Sequence, residues 1–501
     1  MTERHIFFAL LSTTLFFEEV SMKLIYQVED KSKFPQLIVF ALQQLLAIMT
    51  ATLVVPVIIN GNVGEMIADK PMSPAAALFG AGIGTLVYLL FTLRKSPVFL
   101  GSSFAFLGSM TSAFTGATTA ALGYFGLLLG AVLAGLVYVV IAIIVKFCGS
   151  KWVEKLMPAV VIGPTVAIIG LSLAGNAVGD LAKGANGTAP DTKIALLCGL
   201  VTLIVTMLSS VYGKKSGKLI PFIYGILAGY VFALVMTLLG KYVFDSKEMC
   251  LLTITPFRNL LGPDKEIQLK TFLALPDFTF LNAKGAFDSF SGSYFMTVFV
   301  AYVPVAFVVF AEHIADHMNI SSIIERDLLK DPGLHRTLLG DGVGSMAGAF
   351  FGGCPNTTYG ESIGCVAITK NASIVSIFAA AVGAILISFL SPFIAFVNSI
   401  PSCVMGGVCM ALYGFIAVSG LKMIQKVDLN ENKNLFVVSV ILIAGVGGLS
   451  VSFGKVTITE VACALILGIL TNLLLKNAKE PIMPPEETLN AALTEPEKTE
   501  E

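Results

Sequence analysis

Three carboxylates stand where a charge is hardest to hold. Glu312 and Asp316 lie in "AEHIADHMN", residues 311–319, at the end of the uncharged run Ser289–Ala311, and Glu361 lies in "CPNTTYGESIGCVAITK", residues 354–370. A charge at the centre of a membrane helix costs about 2.5–3.5 kcal/mol on insertion scales, so it faces a partner or a wet cavity. Glu312 and Asp316 are four residues apart and project from one helix face, with His313 and His317 on an adjacent stripe. Two chemistries fit. In the first, Glu312 and Glu361 accept hydrogen bonds from the N–H groups of a planar ligand, and Asp316 helps carry a proton. In the second, "HIADH" resembles a metal-binding His-x-x-Asp-His arrangement with Glu361 as third ligand. The second is the weaker, because a catalytic zinc needs hydrophilic surroundings and nothing else in the chain suggests a hydrolase. A purely structural role, with the acids satisfying each other and backbone donors, is the remaining alternative.

Carboxylates suit a transport site for a heterocycle. They accept from ring N–H groups, while backbone N–H groups freed by a broken helix donate to ring carbonyls. Gly360 and Gly364 let that backbone come close, and Phe104 is placed to stack on the ring face. Neighbouring carboxylates repel, so at least one holds a proton in some states, which links proton binding to ligand binding. One proton moving down ~100 mV supplies ~2.3 kcal/mol, about fifty-fold accumulation of a neutral solute. Glu460 lies near Lys455 close to a helix end and reads as a paired or snorkelled residue.

The elements that must position these groups are apolar. Of 501 residues, 55% are hydrophobic and 13% charged, and the mean hydropathy is +0.85. Uncharged runs long enough to span a bilayer recur: Phe34–Gly64, Ser96–Val145, Leu156–Gly179 and Asn371–Leu421 are examples. A net charge of −1 argues against a nucleic-acid partner. The eight cysteines show no zinc-type spacing and read as small core residues. Dividing the long runs at residues 116–123 and 398–402 leads to an all-α polytopic membrane protein with fourteen crossings. Basic residues such as Arg94, Lys95, Lys146, Arg326 and Lys370 fall in the loops that an even count with both termini inside makes cytoplasmic. Two halves of seven must be inverted relative to each other. The third crossing then carries "GSSFAFLGS" (101–109) and the tenth "NTTYGESIG" (356–364), both short and rich in Gly, Ser or Thr. They are expected to be half-extended segments meeting at a cavity, with Asn356, Thr357, Thr358, Ser362 and Gly364 supporting the site. Translation is expected to begin at Met22, since "EEV" just before it can be encoded by a ribosome-binding sequence. The Glu/Pro/Thr-rich tail 479–501 is expected to be disordered.

"PNTTYGESIGCVAITK", "AEHIADH", "LGSSFAF", "LLKDPGLHRTLLGDG" (328–342) and "PSCVMGGVCMALYG" (401–414) together resemble the nucleobase–ascorbate transporter family, over essentially all of Lys33–Lys476. The resemblance implies proton symport of uracil, or in an alternative another nucleobase such as xanthine, across a bacterial inner membrane. The proton is the coupling ion, with no enzymatic activity, metal or other cofactor. It implies a core domain, residues 34–150 (spans 1–4) and 291–400 (spans 8–11), against a gate domain, residues 151–290 (spans 5–7 and an extracellular loop) and 401–478 (spans 12–14). Residues 1–33 and 479–501 would be cytoplasmic. The bilayer is then a partner, and a homodimer is compatible with the pattern. By the same matching Glu312 and Glu361 hold the base, Phe104 stacks on it, and the backbone around Tyr359, Gly360 and Ala51 completes the pocket. Asp316 takes a place where some members have a proton-coupling His. The family signature maps onto Glu361, Ser362, Ile363, Gly364, Thr369 and Lys370. Ser362 replaces the usual Asn, and Gln44 stands where some relatives have His, so the local bracing of the motif is left open.

Overall fold

The computed structural model describes residues 24–149, 151–185, 188–214, 220–261, 267–453 and 456–476. The expected start at Met22, the acidic tail and the Lys455 partner of Glu460 lie outside them. The first half of the chain forms α1 (Phe34–Val63), α2 (Pro74–Phe91), strand β1 (Leu100–Ser102), α3 (Leu107–Thr115) and α4 (Ala120–Cys148). There follow α5 (Ala159–Ser172), prolonged by Ala174–Asp180, then α6 (Thr192–Tyr212) and α7 (Pro221–Tyr242). The second half forms α8 (Gly292–Ile324), α9 (Leu334–Gly352), strand β2 (Asn356–Thr358), α10 (Gly360–Thr369) and α11 (Ile374–Ile387). After the short helix Ser391–Ser399 come α12 (Ser402–Ile424), α13 (Asn432–Val446), the paired strands β3 (Val451–Phe453) and β4 (Val456–Ile458), and α14 (Glu460–Leu475).

Local chemistry sets the ends of these elements. Ser73, Thr119 and Ser291 cap α2, α4 and α8, each side chain accepting from the backbone N–H three residues on. Pro at the first turn of α1, α2 and α7 occupies the position where its missing N–H is not needed. Among the described residues, eight helices are long and apolar enough to cross a membrane: α1, α2, α4, α5 with its extension, α6, α7, α8 and α12. The other expected crossings do not meet that measure alone. Helices α11, α13 and α14 have 14, 15 and 16 residues, and α3 and α10 have 9 and 10. Helix α9 carries His335, Arg336 and Asp341.

Helices from the two halves interleave. Helix α2 lies along α9, α4 along α9 and α8, and α11 along α1 and α2, while α10 rests on α1. Separately, α12 lies along α5 and α6, α13 along α5 and α14, and α7 along α6. The α2–α9 crossing is close: a Cβ on Gly80 would sit 2.3 Å from the Gly348 carbonyl oxygen. Small residues let the two backbones touch, which is how helices associate in an apolar solvent.

Candidate functional site

The two broken segments meet. β1 pairs antiparallel with β2, Leu100 opposite Thr358, Gly101 opposite Thr357 and Ser102 opposite Asn356. The ladder continues with Ser103 N–H donating to the Pro355 carbonyl at 2.9 Å and Tyr359 N–H to that of Phe99 at 3.3 Å. Chain segments of three residues cannot satisfy their own backbone, so pairing with a sequence-distant partner is what makes them tolerable inside an apolar bundle. Each strand runs directly into a short helix: β1 through a turn at Phe104–Phe106 into α3, and β2 through Tyr359 into α10. No side chain caps the start of α10. Its Gly360 is exposed, and a Cβ there or on Gly364 would meet nothing within 4 Å. The space in front of Gly360 is therefore open, room for a ligand beside the helix-terminal N–H groups of Gly360 and Ser362.

Glu361 lies in the first turn of α10, and Glu312 and Asp316 come from α8, which packs on both α10 and β2. All three are half-buried. Glu312 acts electrostatically on Asp316, Glu361 and Asp341, and no lysine or arginine offsets this group among the described residues. Among the described residues no donor bonds the Glu312 carboxylate, and the only one on Glu361 is its own backbone N–H. Asp316 accepts from Thr358 Oγ1 at 2.8 Å, which ties it to β2. Two carboxylates are thus left with acceptor capacity, as recognition of a ligand's N–H groups requires.

The remaining expected residues fall around this centre. Ala51 is fully buried on α1, against which β1 and α10 pack. Phe104 is 7% exposed and meets Tyr413 of α12 edge-on, ring centroids 5.6 Å apart. Tyr359 is buried; its hydroxyl donates to the Ser102 carbonyl at 2.6 Å and its ring lies on Gly101, where a Cβ would clash at 2.4 Å. Tyr359 is thereby a brace between the two strands, with its backbone, not its ring, beside Gly360. Asn356 is a wedge: its Nδ2 donates to the Gly80 carbonyl at 3.2 Å, in a niche left by Gly84 and Gly348. Thr357 is buried with no partner for its hydroxyl, and Thr369 bonds back to the Cys365 carbonyl at 2.7 Å.

The two substitutions that left the motif's bracing open answer one another. Ser362 Oγ accepts from Phe99 N–H at 2.9 Å and from Gln44 Nε2, so Ser362 ties α10 to the stretch before β1 and to α1. The metal arrangement has no support. His313 uses Nδ1 on Asp341 (2.7 Å) and Nε2 on Thr337 (3.0 Å). His317 uses Nδ1 on the His313 carbonyl (2.8 Å) and Nε2 on the Tyr88 hydroxyl (2.7 Å). Both rings are fully buried with all four nitrogens committed, on a different face from the half-buried acids, and no metal-ligating cluster occurs among the described residues.

Asp341 and Tyr413 escaped the reading of the sequence. Asp341 is fully buried, held to His313, with Oδ1 free of partners. An acid between Gly340 and Gly342 inside an otherwise apolar stretch was the available signal. Nothing in the sequence pointed to Tyr413 meeting Phe104. A cavity of about 1100 Å³ opens elsewhere, between the ends of α1 and α2, residues 253–261 and 268–277, and the helix Ser391–Ser399.

A model of the permease family matches residues 35–453. The chain belongs to that family. Among its relatives, the uracil permease of Bacillus subtilis is 38% identical over 451 residues, covering 88% of this chain and 93% of that protein. The uracil permease of Escherichia coli K12 is 35% identical, covering 90% and 93%. A putative pyrimidine permease of Escherichia coli K12 is 30% identical, covering 91% and 93%. The transmembrane domain of a cyanobacterial bicarbonate transporter superposes with a TM-score of 0.53 at 15% identity, covering 90% of this chain and all of that one. A murine solute carrier anion transporter gives 0.56 at 12% identity, covering 89% and 69%. Those two similarities establish the fold alone. The permease is a multi-pass membrane protein and a transporter rather than an enzyme, and the relatives named above are bacterial.

Proposed function

We propose that this permease imports uracil by proton symport, gripping the base between Glu312 and Glu361 with Phe104 on its face. The observation that carries the reading is the junction of two broken segments, β1–α3 and β2–α10, which leaves both carboxylates without a cationic or side-chain partner among the described residues, beside the open space at Gly360. Uracil offers two N–H donors and two carbonyl acceptors in one plane, complementary to two carboxylates and the Gly360 and Ser362 N–H groups starting α10. The relatives named as uracil permeases support the same base. Anion transporters share the fold, but three carboxylates with no basic partner among the described residues, Glu312, Asp316 and Glu361, would repel an anion.

In this reading the fourteen segments form two inverted sevens. The packing of α1–α4 with α8–α11, and of α5–α7 with α12–α14, supports a core moving against a gate, and the Phe104–Tyr413 contact bridges the two sets. Asp316 or Glu312 takes the coupled proton. Ion pairs Lys95–Asp331 and Arg326–Glu29 lie within electrostatic reach of one another. They gather the basic loops and the chain before α1 on one face, as expected of the cytoplasmic side. The deciding experiment is uptake of labelled uracil into liposomes holding only this protein. An inward proton gradient should drive accumulation and a protonophore should abolish it; equal uptake without a gradient would rule out symport. Competition by unlabelled xanthine, thymine and other bases tests the alternative cargo.

A further inference from the structure

The segment Leu24–Lys33, ahead of α1, is an ordered strap. Ile25 N–H donates to the Lys370 carbonyl at 2.7 Å, Ala372 N–H to that of Tyr26 at 2.9 Å and Ile374 N–H to that of Val28 at 3.1 Å, with Tyr26 bridging Asn371 in parallel. Val28, within the strap, is 1% exposed, and Ser373 Oγ donates to the Asp30 carbonyl at 2.5 Å. This grips the C-terminal end of α10, where Lys370 takes the left-handed conformation (φ 56°). The same strap reaches the end of α8. Glu29 makes a two-pronged pair with Arg326, Oε1 to Nη1 and Oε2 to Nη2 at 2.9 Å for the second. Arg326 directly follows the left-handed cap Glu325 of α8. One short piece of chain therefore holds the far ends of both helices that carry the ligand carboxylates.

We propose that residues 24–33 act as a latch whose Glu29, with Arg326 and the backbone ladder to residues 370–374, are positioning groups that set the spacing of α8 and α10 and thereby the affinity of the Glu312–Glu361 site. The affinity consequence rests on the site reading given above. Glu29 and Arg326 touch no substrate; they act through the helices. Their side chains are 61% and 44% exposed, so the pair is modest and reversible, suited to a contact that must loosen as the helices move.

The test compares Glu29→Ala, Arg326→Ala and the exchanged pair Glu29→Arg with Arg326→Glu. Uracil Kd is read on purified protein, KM and maximal rate in liposomes, and amide hydrogen exchange along α8 and α10 without substrate. Each single variant should raise Kd and KM by about three- to fivefold, the upper part of what a half-exposed ion pair contributes, and the exchanged pair should recover to within about twofold. Exchange should quicken along both helices in the single variants. A second probe is Ile374→Pro, which removes the donor to Val28 at the first position of α11, where proline suits a helix, with Ile374→Val as control. Unchanged Kd and KM, or single defects that the exchanged pair does not repair, overturn the latch. If the wild type binds no uracil, the site reading fails and exchange alone decides. Faster exchange along α8 and α10 in Glu29→Ala then supports the latch, and a change confined to residues 24–33 overturns it.

Discussion

Glu361 and Glu312 differ from Asp316 and Asp341 in having no side-chain hydrogen-bond partner among the described residues. Each keeps acceptor capacity that no other residue's side chain uses, so substitution by glutamine removes charge while preserving shape. A hydrogen bond to a charged acceptor is worth about 1.5–3 kcal/mol. Glu361→Gln should therefore weaken uracil binding by roughly ten- to a hundredfold, measured by titration calorimetry; normal affinity would mean the base sits elsewhere. Asp316 is different, since Thr358 already occupies one of its oxygens. If Asp316 carries the coupled proton, Asp316→Asn keeps that contact and removes the proton site, so gradient-driven accumulation should fall while Kd changes little. Ser362 belongs to the frame. Ser362→Ala leaves the buried Phe99 N–H and Gln44 without an acceptor, at about 1–3 kcal/mol each, and should lower the midpoint of thermal unfolding even without ligand.

At the scale of elements, the site depends on two three-residue strands that have no stability of their own. Asn356 anchors β2 by donating to the Gly80 carbonyl across the α2–α9 crossing. Gly80→Ala places a methyl 2.3 Å from the Gly348 carbonyl oxygen, so α2 and α9 must separate and the Asn356 niche is lost with them. Such overpacking costs about 1–3 kcal/mol. We expect less protein to survive detergent extraction, and the surviving fraction to bind uracil weakly, as seen by size-exclusion profile and calorimetry. The half-extended character of residues 101–109 and 356–364, each a short strand running into a helix, was legible from glycines, hydroxyls and insufficient apolar length. Their mutual register was not, because antiparallel pairing of segments more than two hundred residues apart leaves no periodic mark in either.

At the scale of the whole molecule, ligand binding should stabilise the folded state by mass action. Uracil at a hundred times Kd adds about 2.7 kcal/mol. The unfolding midpoint should rise with uracil in the wild type and stay fixed in Glu361→Gln; equal rises in both would separate the binding event from this acid. Composition, long uncharged runs and three acids in apolar surroundings were enough to establish a polytopic membrane protein with a polar site on α8 and α10. These follow from the sequence because bilayer insertion acts on each segment separately, charge by charge. Tertiary structure alone decided which buried polar groups are spent and which are free. It committed both histidines to Asp341, Thr337, Tyr88 and backbone, matched Ser362 to Gln44, and brought Tyr413 against Phe104. Whether a side chain serves the frame or a ligand depends on which partner lies within three ångströms, and that is set by helices packing across the chain rather than along it.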